Sequence, residues 1–529
     1  MYCSITTAGL CGIKGYPVNA EIDVAEGFPK LELVGLAHNS VKESVERVKT
    51  ALKNTGYVFP YKRVTINLAP AQIRKYGSHY DLPIAVGILL ASGQLEARQV
   101  QDNLLIGELS LNGEMVGVRG ALAMVETARS RKLKRVILPI QNWQEVCFCD
   151  DIEIIPVSHF REVIAYLQQG RLGSETIELQ KKIKHLSALQ EGEEIGQILG
   201  ISVNEGAVKK VDFADIKSQN VAKRAIAVAV AGMHHILLVG PPGTGKTMLA
   251  KAVPGLLPHL TREEMIEVTR VYSAAGKLLG KIPVITERMY RAPHHTITMA
   301  GLLGGGRPLL PGEISLTHKG VLFLDEFAEF PKVLLDTLRQ PMEDKHIVLS
   351  RMNERADFPT DFLLIASMNP CPCGYYPDME RCRCSEYDIR RYHKKLSGPI
   401  LDRIDIFVEV DRPALPSFQN VACEKPSQEY AGQIAAAQHI QKQRLHSENL
   451  LYNSEISTPL IEKYCQMDMA AAEILNGAYQ RMKLSLRSYH RLMRLARTIA
   501  DMEGKEKIEA KHMAEAFNYR VAYNKYFMK

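Results

Sequence analysis

Nowhere does this sequence approach the ~18 consecutive apolar residues of a membrane span, which excludes a helical transmembrane protein and predicts no membrane partner. Its first residues, Met1-Tyr-Cys-Ser-Ile-Thr-Thr-Ala8, lack the basic start and apolar core of a secretory signal, so a cytoplasmic protein is expected. Ten cysteines scattered over 529 residues do not make a disulfide framework and should be free thiols or metal ligands. Charge of one sign is scarce too: 66 Lys+Arg against 59 Asp+Glu leave +7, which permits a polyanionic partner without demanding one. Repeats of fixed period and low-complexity tracts are absent, which removes solenoids and compositional disorder from consideration.

What remains is ordinary soluble composition, 46% apolar and 24% charged, in a chain long enough for about three domains. Residues 1–168 read as an α/β unit, with strand-like segments such as Arg63–Leu68 and Arg135–Pro139 and helical periodicity over Val41–Leu52. A polar, charged stretch over 169–210 reads as a linker. A nucleotide-binding core follows over 211–411, and a mostly helical unit occupies 412–529.

The core is recognised by Gly240-Pro241-Pro242-Gly243-Thr244-Gly245-Lys246-Thr247, which fits the phosphate-loop pattern G-x-x-x-x-G-K-[ST]. It follows an apolar strand candidate, His234–Val239, and opens a helix through Met248. Glycines let successive N–H groups turn toward phosphate oxygens, and the helix start adds partial positive charge. Lys246 would reach the outer phosphates of ATP and Thr247 would ligate Mg2+.

Downstream, Val321-Leu-Phe-Leu-Asp325-Glu326 is a buried-strand pattern ending in two carboxylates, the form of a Walker B strand. Asp325 would hold magnesium and Glu326 would orient and deprotonate the attacking water. A third strand candidate, Phe362–Met368, ends at Asn369, placed to contact the γ-phosphate or the water. Arg403 lies just past the last core helix and Arg487 begins a C-terminal helix. Phosphoryl transfer needs positive charge where charge develops, often from a neighbouring subunit, although a lone arginine more often makes a surface ion pair.

Two interruptions of the core suggest projecting loops. The first runs through Arg291–Thr296, Gly301–Gly306 and Pro311–Ser315, and its His294 and His295 read as loop residues that transmit nucleotide state. The second, Lys345–Phe358, reads as two strands around a turn, with Lys345, Arg351 and Arg355 at or near the tip. In a ring such loops could grip a phosphate backbone; otherwise they pack subunits together. Cys371, Cys373, Cys382 and Cys384 supply enough thiols for one tetrahedral Zn2+ site, or form a loop of reduced cysteines. The basic run Arg390, Arg391, Lys394 and Lys395 reads as a DNA contact or a solvated helix face.

Taken together, the phosphate loop, Arg-Ala-Pro-His-His-Thr296, Pro-Gly-Glu-Ile-Ser315, the Asp325-Glu326 strand, Met-Asn-Pro-Cys-Pro-Cys-Gly374 and Gly-Pro-Ile-Leu-Asp-Arg-Ile-Asp405 resemble the AAA+ ATPases, more narrowly the magnesium-chelatase-like ComM/YifB family. The resemblance implies an α/β fold: a P-loop AAA+ core with a C-terminal helical lid, preceded by a Lon-protease-like domain. It also implies a homo-oligomer, a hexamer, acting as an ATP-driven helicase that promotes branch migration on single-stranded and branched DNA during recombination and natural transformation. In that frame Arg403 looks like a trans-acting arginine finger and Arg487 like sensor 2, completing the site across and within subunits. The front domain lacks the lysine of a Lon-type pair in Val116–Ala123 and has Tyr80 where the serine would align, with Ser78 out of register. It is expected to be non-proteolytic, since a serine without a base is a poor nucleophile. Competing functions are a metal-insertion motor sharing the same core, and a nucleotide-dependent scaffold or chaperone.

Overall fold

A computed structural model describes residues 1–96, 100–149, 151–187, 211–278, 284–351, 354–412, 424–482 and 485–527. The front unit holds a sheet in which Tyr2–Cys11, Lys14–Ala25 and Arg63–Ala69 run antiparallel in turn, with Lys30–Val34 parallel on the outer side. Alternation makes this sheet one-sided: Val64, Ile66 and Leu68 are buried while the residues between them are not. The helix Asn39–Asn54 covers it with Val41, Val45, Val48 and Leu52, spaced to fall on one helical face. Its start is capped by the His38 ring, which accepts the Ser40 N–H at 3.3 Å. A smaller parallel sheet, Asn103–Leu105, Arg135–Pro139 and Glu153–Val157, completes the unit.

Part of the expected linker is folded. Residues Ser174–Ser187 form a helix that buries Ile183 and Leu186, and Thr176 donates to the Pro156 carbonyl at 2.9 Å. Its apolar residues are spaced for one face, a periodicity masked in the sequence by the surrounding charge. The rest of that segment, 188–210, and the entry to the last unit, 413–423, lie outside the described residues.

The core is a five-stranded, fully parallel sheet ordered Tyr290–Arg291, Val321–Leu324, Leu363–Met368, Ile236–Val239, Ile406–Glu409. Helices on both faces bury its central strands completely, which explains their unbroken apolar runs. The front unit is fused to this core. Leu122 and Val125 share one apolar cluster with Met265, Val268 and Tyr272, and the Gly120 N–H donates to the Ser273 carbonyl at 3.1 Å.

The C-terminal unit consists chiefly of helices Ser427–Leu445, Met469–Met482, Leu486–Met502 and Ala510–Phe527. Leu492, Met493 and Leu495 lie in its core, as their spacing predicts. It is tied to the sheet at one end: buried His234 bridges Asp405 and Thr498, both at 2.9 Å.

Candidate nucleotide site

The phosphate loop leaves the carboxyl end of Ile236–Val239. Gly240 is required there because a Cβ would sit 2.2 Å from the Val410 carbonyl of the adjoining strand. Gly243 and Gly245 take φ of +77° and +89°, left-handed conformations that turn the loop before the helix Lys246–Ala252. Lys246 folds back into the loop, donating to the Gly240 and Pro241 carbonyls at 2.7 and 2.8 Å and reaching Asn369 Oδ1 at 3.4 Å. Burial strips water from its ammonium, with Asp325 opposing, and lowers its pKa to about 8. A triphosphate would supply the negative charge this lysine lacks.

Thr247 Oγ1 donates to Asp325 Oδ2 at 2.9 Å, and Ser367 bonds the other carboxylate oxygen. These hard oxygens fit a magnesium ion: a hydroxyl and a carboxylate face one another beside the phosphate loop. Glu326 adopts a left-handed conformation, φ 52° and ψ 46°, sparsely populated for a residue with a side chain. Its carboxylate faces His295 Nδ1 at 3.3 Å. His295 was legible in sequence only as part of a loop; nothing local links it to a carboxylate thirty-one residues on. Also unseen was Gln219, whose amide donates to the Asp411 carbonyl at 2.7 Å and, more weakly, to that of Thr244.

The structure thus gathers the phosphate loop, Asp325, Glu326 and Asn369 at the carboxyl end of the sheet. Arg403 and Arg487 are elsewhere. The Asp405 and Ile406 N–H groups both bond the His235 carbonyl, so Arg403 lies beyond the amino end of the same strands. From His235 to Gly240 is roughly 16 Å of extended chain at ~3.3 Å per residue. Arg403 is 2.6 Å from Glu343, and Arg487 pairs with the other oxygen of that carboxylate. The two arginines line one cleft of about 400 Å³ with Arg491, which reaches Asp405 at 3.5 Å, and with Arg494. The expectation that Arg487 completes the site of its own subunit is therefore corrected: it stands with Arg403, not with Lys246. Sequence could not reveal this, because the helix carrying Arg487 is placed by His234, Asp405 and Thr498.

The expected hairpin forms from His346–Arg351 and Glu354–Pro359, with His346 opposite Pro359 and Arg351 opposite Glu354. Lys345 does not stand at its far end, where Arg351 pairs with Glu354; residues 352 and 353 lie outside the described residues. It sits at the foot, in a left-handed helix cap, paired with Asp361 at 3.1 Å and with Glu455. Arg351 and Arg355 are exposed at the far end. The hairpin is no free projection either: the Cys11 thiol meets the Arg355 carbonyl and the Tyr76 hydroxyl donates to Glu354. Of the basic run, Arg390 pairs with Glu386 and Lys395 with Glu329.

The four cysteine sulfurs lie within 4.8 Å of one another. Cys371 is 3.3 Å from Cys373 and 3.8 Å from Cys382, close to the ~3.8 Å edges of a tetrahedron with ~2.3 Å zinc–sulfur bonds. The Gly374 and Tyr376 N–H groups point at Cys371 Sγ, at 3.2 and 3.4 Å, as thiolate ligands require. This knuckle abuts the phosphate loop, since a Cβ at Gly374 would meet Pro242 Cδ at 2.7 Å. In the front unit, Ser78 donates its hydroxyl to Glu108.

Residues 212–418 match the family model described as magnesium chelatase, subunit ChlI; 20–142 and 424–520 match models of the same subunit and of its C-terminal part. The chain is 39% identical to the competence protein ComM of Haemophilus influenzae over 512 residues, covering 96% of this chain and 95% of that protein. With YifB of Escherichia coli it shares 36% identity over 519 residues, 98% and 96% of the two chains. A more distant similarity, 26% over 236 residues, relates 39% of the chain to 41% of Lon protease 2 of Bacillus subtilis.

Proposed function

The chain belongs to the magnesium-chelatase-like ComM/YifB family of AAA+ ATPases, with a Lon-like domain ahead of its P-loop core, and we propose that it is a ring-shaped motor that uses ATP to move DNA branch points. The observation that carries the ring is the division of the site. Lys246, Asp325, Glu326 and Asn369 occupy one end of the sheet, Arg403 and Arg487 the other. A neighbouring subunit would bring the arginines to the phosphates.

Within that interface each group has one task. Lys246 would leave its loop carbonyls for the outer phosphates, and Thr247 and Asp325 would hold a Mg2+ ion that offsets their charge. Glu326, positioned by His295, would take a proton from the attacking water, while Asn369 would contact the γ-phosphate. Arg403 and Arg487 of the next subunit exchange Glu343 for charge developing in the transition state. Six subunits follow the family's habit. Zn2+ bound by the four cysteines would brace Asn369 and Pro242, and the front domain is a non-proteolytic collar.

DNA as substrate is supported by the competence protein among the relatives and by exposed Arg351 and Arg355. Branch migration on a synthetic three- or four-stranded junction tests it: ATP-dependent product formation is expected, and a junction left untouched by an active ATPase would refute it. The chelatase match over 212–418 favours a second reading, a metal-insertion motor. ATP hydrolysis stimulated by DNA separates the two.

A further inference from the structure

Where the front unit meets the two core insertions, an open cleft of about 800 Å³ remains. Four arginines line it: Arg74 from the front unit, Arg307 from the first insertion, Arg351 and Arg355 from the hairpin. Among the described residues the lining sets one carboxylate against them, Glu354, already engaged by the Tyr76 hydroxyl. All four arginines are exposed. Between them lie apolar side chains left open to solvent, Leu36 at 60% and Ile73 at 38% exposure, beside Tyr76 with the Arg74 guanidinium 5.8 Å from its ring centre.

Charge and shape select an occupant. Four guanidinium groups against one carboxylate leave the cleft net positive and call for a polyanion, and an apolar floor below them calls for a flat, weakly polar group. Single-stranded DNA offers both, because its bases are free to leave the stack; in a duplex the bases are hidden from a concave apolar floor. We propose that this cleft holds single-stranded DNA, with the arginines on successive phosphates and a base lying on Leu36, Ile73 and Tyr76. The inference rests on the DNA-motor reading and adds to it that the front domain itself grips the strand.

The test uses the full-length protein and a fluorescein-labelled oligo-dT, read by anisotropy over a salt series. Arg74→Glu should weaken binding by roughly ten-fold or more, and Arg74→Ala should lower the slope of log K against log salt by about 0.7, one single-strand phosphate contact. Arg74→Lys should recover most of the affinity. ATP hydrolysis without DNA should be unchanged in all three, which also reports that they fold and assemble. A photo-crosslinking residue at Ile73 should capture the oligonucleotide. Wild-type affinity and slope in Arg74→Glu would overturn the cleft assignment, as would unlabelled duplex competing as well as single strand. Loss of assembly in Arg74→Glu would identify the cleft as a subunit contact instead. If the wild-type protein binds no DNA at all, the motor reading itself fails.

Discussion

Mixing two inactive variants discriminates sharply between a site closed within one subunit and one closed between two. Glu326→Gln should bind ATP but not turn it over, with kcat lowered by ~10²–10⁴-fold for loss of a general base. Arg487→Ala and Arg403→Ala should each hydrolyse poorly, since arginines placed on a transferring phosphoryl group are worth ~10³–10⁵ in kcat. Now assemble Arg487→Ala with Glu326→Gln at equal amounts. An interface is productive when the subunit offering its phosphate loop has Glu326 and its neighbour has Arg487. Each condition holds for half the subunits, so roughly a quarter of the wild-type rate should return if the interfaces act independently. The placement of Arg487 on the Glu343 carboxylate shared with Arg403, at the far end of the sheet, demands this recovery. Were Arg487 to serve its own loop, no subunit in the mixture would carry both groups and no activity would return. Arg403→Ala with Glu326→Gln is the internal standard. Recovery with Arg403→Ala but none with Arg487→Ala would refute the assignment. The assay is steady-state phosphate release from co-expressed, doubly tagged assemblies, so that unmixed rings are removed.

Other consequences can be measured separately. Lys246 has a pKa of about 8 in the free site because it is desolvated; a bound triphosphate raises it, so binding takes up a proton. ATP affinity should therefore be flat below pH 8 and fall by up to about ten-fold per pH unit above it, seen by calorimetry in buffers of different ionisation enthalpy. His295→Ala should lower kcat by about ten-fold with little change in KM, as expected of a residue that positions Glu326, and His295→Gln should restore part of it. Metal analysis of unchelated protein should find one zinc per chain, and Cys373→Ser should lower both Tm and ATP affinity, because the knuckle abuts Pro242. Lys345→Ala should leave single-strand affinity unaltered but cost about 1–2 kcal/mol in urea unfolding. It removes one of two lysines from largely buried Asp361, and the partial exposure of Lys345 keeps the loss small.

What the sequence made legible and what it did not divide along a physical line. Groups whose position depends on one strand and the loop leaving it could be read directly: Gly240 to Thr247 after Ile236–Val239, Asp325 after Val321–Leu324, Asn369 after Leu363–Met368. In each the apolar run dictates a buried strand, and the next residue must emerge at its carboxyl end. The cysteine cluster was readable for the same reason, since fourteen residues of chain limit how far four thiols can part.

Groups set by packing between units were not legible. Arg487 begins a helix by a local rule, with the Ser485 hydroxyl accepting the Ser488 N–H, yet where that helix points depends on its burial of Leu492, Ala496 and Ile499 and on buried His234 joining Asp405 to Thr498. Lys345 looked like a tip residue because strand periodicity marks where a hairpin begins, but not what stands at its foot; Asp361 and Glu455 come from two different units. The two misplaced cations point the same way. Lys345 and Arg487 share one cleft with Arg403, and from that cleft the hairpin runs out to Arg351 and Arg355 beside the front domain. A neighbour's phosphate entering the arginine cleft would compete with Glu343 for Arg403 and Arg487, and Glu343 lies on the helix Arg339–Asp344 that leads directly into Lys345 and the hairpin. The helix carrying Glu343 and the hairpin that faces the proposed strand are thus one continuous piece of chain, which would give ATP hydrolysis a short mechanical route to the proposed DNA strand.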